Sequence, residues 1–101
     1  MINGKQRSYL RGLAHDLDPI VHIGRAGLTE NVIKELDTAL ESRELVKVKL
    51  QDGCGLTPRD AANQACEMLD AEFVQSIGKR FSIYRQSREN KTIVLPGRDK
   101  K

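Results

Sequence analysis

The chain has no tryptophan and only four aromatic residues in 101, Tyr9, Phe73, Phe81 and Tyr84. A core must therefore be assembled mainly from Leu, Ile, Val and Ala, and binding through a platform of stacked rings is excluded as the principal mode. No apolar run approaches the ~20 residues that span a bilayer, and the stretch from Met1 to Arg7 lacks the apolar segment of a secretory signal. A cytoplasmic protein without membrane contact is expected. The two cysteines, Cys54 and Cys66, are too few for a disulfide framework and fit a reducing compartment. They lie twelve positions apart, His15 and His22 lie seven apart across an expected turn, and no close C-x-x-C or H-x-x-x-H pair occurs. Neither a metal nor a cofactor is expected on these spacings. A Walker loop, a dinucleotide fingerprint and a nucleophile elbow are all missing, so the chain reads as non-enzymatic. Its length supports one domain with a real core.

What the sequence does have is segregated charge. The formal net charge is only +3, but residues 78–101 carry eight bases against two acids and residues 1–15 carry three bases and no acid. The middle, residues 16–77, holds six bases against twelve acids. The positive field thus comes from the two ends of the chain. Lys79 to Lys91 flank or lie within an expected hairpin, whereas residues 97–101 form a short basic tail after a domain spanning 1–96.

Periodicity organises the rest. Tyr9, Leu10, Leu13 and Ala14 fall at helical spacing over Lys5 to Ala14, and Pro19 ends that helix. Ile20 to Ile23 reads as a strand. Thr29 is placed to cap a helix in which Val32, Ile33, Leu36, Ala39 and Leu40 share one face. Val46, Val48 and Leu50 then alternate with Lys47 and Lys49, the pattern of a half-buried strand that shows two lysines to solvent. Thr57-Pro58-Arg59-Asp60 opens a third helix with a small apolar stripe of Ala61, Ala62, Ala65, Cys66 and Leu69. Phe73 to Ile77 and Phe81 to Tyr84 are strands joined at Gly78-Lys79, which suits a type II′ turn, and Thr92 to Leu95 could add a further short strand. The order α-β-α-β-α-β-β predicts an α/β fold, a two-layer sandwich of a four-stranded mixed sheet and three helices.

The candidate site is the loop Gly24-Arg25-Ala26-Gly27, which leads from a strand into the helix at Leu28-Thr29-Glu30. Two glycines permit positive φ and close approach to a ligand, and the helix start offers free amides with partial positive charge, an arrangement that suits phosphate. Arg25 adds a planar donor fork. Lys47 and Lys49 on their strand, Lys79 and Arg80 at the hairpin, and Arg11 on the first helix extend the basic surface. Together these residues have the footprint of a nucleic-acid binder that leans on backbone and shape. Cys54, set between Gly53 and Gly55, reads as an exposed turn residue, and Cys66 as a small core residue.

At these same residues the chain resembles a known family. Lys5-Gln6-Arg7, Leu10 to His15, Pro19-Ile20-Val21, Ile23 to Thr29, Glu44 to Val48, and Val74 to Gly78 with Tyr84-Arg85 resemble, in order, the CRM domain (chloroplast RNA splicing and ribosome maturation) in its bacterial single-domain, YhbY-like form. The resemblance implies a fold similar to the C-terminal domain of translation initiation factor three. It also implies an RNA-binding protein acting on ribosomal RNA of the pre-large ribosomal subunit, possible contact with ribosomal proteins, and a G-x-x-G loop likened to that of KH domains. A KH loop joins two helices, whereas this one joins a strand to a helix. A monomer is expected. The alternative class is an adaptor that docks on a ribosomal protein, RNA contact being incidental; a third is a small thiol enzyme using Cys54.

Overall fold

Each helix begins where the sequence supplies a side-chain oxygen for its first free amides. In the computed structural model, which describes residues 2–97, helix α1 (Gly4–His15) is capped by Asn3, whose side chain accepts from the Gln6 amide at 2.8 Å while Gln6 Oε1 accepts from Asn3 N at 3.0 Å. This reciprocal box has a local sequence signal, Asn-x-x-Gln, that periodicity alone does not reveal. Thr29 caps helix α2 (Glu30–Arg43) and Thr57 caps helix α3 (Pro58–Leu69), with Pro58 in its first turn, as the sequence indicates.

Strands β1 (Val21–Ile23), β2 (Leu45–Leu50), β3 (Glu72–Ile77) and β4 (Arg80–Tyr84) form one sheet in the order β1-β2-β4-β3. β1 and β2 are parallel, and β4 pairs antiparallel with both β2 and β3. A mixed sheet follows because helix α2 carries the chain back between β1 and β2, whereas β3 and β4 are joined directly. In that joint Gly78 has φ +60 and Lys79 does not have positive φ, as a type II′ turn requires.

The layering differs from the expected two layers. Val21, Ile23, Val46, Val48, Phe81 and Ile83 pack with α2 and α3 on one face of the sheet. Leu45, Val74 and Tyr84 pack with Leu10 and Ala14 of α1 on the other. A helix stripe states that one side is buried but not which face of a sheet it will meet, so α1 makes a third layer. The small stripe of Ala61, Ala62, Ala65 and Leu69 is buried against the sheet as expected, but Cys66 beside it is only half-buried.

Thr92 to Leu95 forms no strand. The segment after β4 is held instead by Glu44, a fully buried acid just past α2 with φ +69. Its carboxylate accepts from the amides of Ser87 at 2.7 Å, Thr92 at 2.8 Å and Ile93 at 2.8 Å, and from the Thr92 hydroxyl at 3.3 Å. Burial pushes the Glu44 carboxyl up, but the bonds from Ile93, Ser87 and Thr92 outweigh it and hold the group below the ordinary carboxylate value. Leu95 is thereby seated in the cluster beneath α1, where Gln6 Nε2 donates to the Pro96 carbonyl at 3.1 Å. The basic tail from Arg98 to Lys101 lies outside the described residues.

Candidate nucleic-acid interface

Because β1 and β2 are parallel, the two loops that leave their C-terminal ends lie side by side, and each runs into a helix N-terminus. The Ile23 carbonyl accepts from Gln51 N at 2.8 Å, which ties the start of one loop to the start of the other. The G-x-x-G loop is a tight turn: Gly27 N donates to the Gly24 carbonyl at 3.0 Å, leaving Arg25 and Ala26 exposed at the tip. Only one of the two glycines uses the left-handed region, Gly27 at φ +77. A Cβ on Gly24 would lie 3.5 Å from Gln51 Oε1, an ordinary contact. The amides of Ala26 and Leu28 have no acceptor among the described residues, so they and the first turn of α2 remain available to an anion.

The loop from Gln51 to Leu56, which lies outside every stretch that resembles the family, is the structural partner of this turn. A Cβ on Gly53 would lie 3.7 Å from Arg25 Nε, so the guanidinium stem runs along that loop. Cys54 is half-buried there rather than exposed: its Sγ lies 3.6 Å from the Leu56 carbonyl and it packs on the main core. The α3 N-terminus that follows gives a second helix end pointing the same way as α2. Two partial positive charges of roughly half a unit therefore converge at this end of the sheet, each tempered by a first-turn acid, Glu30 or Asp60.

The strand register brings further cations to the same end. His22 pairs with Lys49, Lys49 with Arg80, and Arg80 with Ile77, so these four side chains form one row across the sheet on the face that carries α1. The adjoining row is Lys47, Ser82 and Gln75. Lys49 and Arg80 are exposed, and Lys47 is half-covered. Lys79, at the hairpin tip, is ion-paired with Asp52 of the neighbouring loop, but both side chains are exposed, and such a pair is weak and exchangeable. Arg11 stands apart from this group. It lines a groove along the open edge of β3 together with Arg7 and Arg59, whose guanidinium sits 4.3 Å above the Phe73 ring.

In the C-terminal excess of bases Arg85 has a structural duty through its side chain, and Arg88 through its backbone. Arg85 Nη1 bonds Asp37 Oδ1 at 2.8 Å and the Leu69 carbonyl at 3.1 Å, clamping α2 to α3. The backbone of Arg88 joins Ser87 and Glu89 in donating to Glu41, which lowers that carboxyl, the Ser87 hydroxyl contributing most. Burial, with the nearby Glu72 charge, pushes the Cys66 thiol up to about 12, so it stays protonated and unreactive. Among the described residues no three His, Cys, Asp or Glu side chains gather as a metal set, and no helix is long and apolar enough to cross a membrane.

The CRS1 / YhbY (CRM) domain model matches residues 2–85. The chain belongs to this family. It is 41% identical to "Probable RNA-binding protein YqeI" of Bacillus subtilis, over 95% of this chain and 100% of that protein. It is likewise 41% identical to "RNA-binding protein" of Haemophilus influenzae, over 94% of this chain and 95% of the relative. A solution structure of a hypothetical protein from Staphylococcus aureus superposes with a TM-score of 0.74 at 46% identity, covering 95% of this chain and all of the other. In this CRM protein the stretches that resemble the family include the G-x-x-G turn, the strand bearing Lys47, and Glu44 and Arg85 of the two clamps that hold the frame.

Proposed function

We propose that this CRM protein binds RNA by its phosphate backbone at the loop end of the sheet, as a non-enzymatic assembly factor of the large ribosomal subunit. The observation that carries the reading is convergence: the exposed turn at Arg25 and Ala26, two helix N-termini and the row of Lys49 and Arg80 share one end of the fold. The names of the relatives, which are RNA-binding proteins, support the RNA-binding part of this reading. Arg25 and the backbone from Gly24 to Leu28 grip one phosphate, while Lys47, Lys49, Lys79 and Arg80 line the path of its neighbours. Arg11, on the β3 edge, engages RNA only if the strand passes around that side. Titration of structured large-subunit RNA fragments over a range of salt tests the phosphate grip, since each contact releases counterions. Crosslinking with sequencing of the bound RNA tests the ribosomal assignment.

One observation favours the adaptor reading. A groove of about 660 Å³ lies at the opposite end, beside the start of β2, lined in part by Leu13, Leu17 and Ile20, each more than a third exposed. A ribosomal protein docked there would bind with little salt dependence, so the same titrations separate the two.

A further inference from the structure

The part of the sheet face beyond the last turn of α1 is not flat. It holds a cavity of about 260 Å³ lined by His15, Lys47, Gln75, Ile77, Arg80, Phe81 and Ser82, none of them acidic. On its floor is Ser82, 1% exposed, whose Oγ has no hydrogen-bond partner among the described residues. A buried hydroxyl left unpaired in a central strand is unfavourable and uncommon, and it is explained if a ligand completes it. The flanking positions in register are Lys47 on β2 and Gln75 on β3, with Arg80 and Ile77 one step nearer the loop.

We propose that this cavity receives one unstacked base of the bound RNA. A phosphate would call for donors alone, but the floor also offers acceptors: a hydroxyl that both donates and accepts, and an amide with a carbonyl oxygen beside its two N–H bonds. These match the polar edge of a heterocycle. Lys47 and Arg80 stand beside them to hold the flanking phosphate, and Ile77, 66% exposed, supplies an apolar wall. Single bases splayed out of a helix are the usual carriers of sequence information in RNA recognition. The proposal rests on the RNA-binding reading above and adds to it a source of base preference.

Two measurements test it. The first follows the amide NMR signals of Ser82 and Gln75 while each of the four ribonucleoside monophosphates, and separately inorganic phosphate, is titrated. Saturable shifts from one or two of the nucleotides, absent with phosphate and weakened about fivefold to tenfold in Ser82→Ala, are the expected result. Equal shifts from phosphate and all four nucleotides would reduce the site to a plain anion patch and overturn the proposal. The second measures affinity for hairpin RNAs that differ only in one bulged nucleotide. Wild type should discriminate among them, and Ser82→Ala should bind all four within about twofold while keeping the wild-type salt slope, because no charge is lost. Ser82→Ala removes an unpaired hydroxyl and should melt no lower than wild type, so lost discrimination cannot be ascribed to unfolding. RNA binding with a normal salt slope but neither shift nor discrimination would sink the pocket and spare the RNA reading. Nucleotide shifts at Ser82 in a protein that binds no RNA would do the reverse.

Discussion

Glu44→Ala is predicted to be the most damaging single truncation of a polar side chain in this fold. The substitution removes the acceptor for three backbone amides, at 2.7 Å, 2.8 Å and 2.8 Å, from a site with no solvent access. An orphaned buried donor costs about 1–3 kcal/mol, and some of the three can recover water if the segment after β4 lifts, so a net loss of about 3–5 kcal/mol is expected. Against a typical total of about 5–15 kcal/mol, that is a large fraction. Glu44→Gln keeps one oxygen but turns an amide N–H toward another N–H, at Ser87 or at Thr92 and Ile93, and should cost less, about 1–3 kcal/mol. The pH dependence has a definite sign. Because the folded carboxyl is held below its ordinary value, its contribution is fully present above the unfolded value of about 4.3 and is lost as pH falls through the folded one. The gap between wild type and Glu44→Ala should therefore narrow as pH drops below the ordinary carboxylate range. Urea unfolding at neutral and stepwise acidic pH reads this directly, and hydrogen exchange at Ser87, Thr92 and Ile93 localises it. A neutral-pH loss under about 0.5 kcal/mol, or one that does not change with pH, would refute the assignment of Glu44 as the anchor.

The remaining predictions concern the interface. Ala26→Asp should abolish RNA binding in a folded protein, because its carboxylate would compete for the free loop amides and repel phosphate; wild-type affinity and salt slope would remove the loop from the mechanism. Arg25→Ala should flatten the log K against log salt slope on single-stranded RNA by ~0.7 if it makes one phosphate contact. Gly24→Ala should be tolerated in both stability and binding, whereas Gly27→Val should impair both, a split checked by thermal melts and titration. Lys79→Ala combined with Arg80→Ala should weaken binding and leave the melting temperature nearly unchanged; normal binding here, with loss on deleting Arg98 to Lys101, would move the positive field to the tail.

Features set by neighbours in sequence were legible; those set by partners far along the chain were not. Thr29, Thr57 and Gly78 act on groups within three or four positions, and each does what its local pattern indicates. The alternation of Val46, Val48 and Leu50 with Lys47 and Lys49 likewise needs only the strand period. Glu44 reads as one acid among many at a helix end, because its partners lie 43 to 49 positions away. The apolar run Thr92 to Leu95 resembles a strand, but its amides are claimed by that carboxylate before any strand could be. The closeness of Gly53 to Arg25 follows from parallel pairing of β1 and β2, a tertiary choice, and for that reason Cys54 is half-buried where its flanking glycines indicate exposure. The row of His22, Lys49, Arg80 and Ile77 requires the register of all four strands, and no single stretch of sequence contains it.

The contact between Gln6 and Pro96, with Ile2 and Leu95 sharing one cluster, places both ends of the described segment together, beside the start of β2 and the end of β4. The loop end is at the other pole of the strands. The fold is thus modular in a practical sense: a tag, a surface tether or a second copy can be attached at either end without shading Arg25. Two copies joined head to tail would present two loop ends to one RNA, and the second would bind at an effective concentration set by the length and stiffness of the linker, with no new contact required. The same proximity makes the chain suited to circular permutation, with the old ends fused and new ones cut elsewhere.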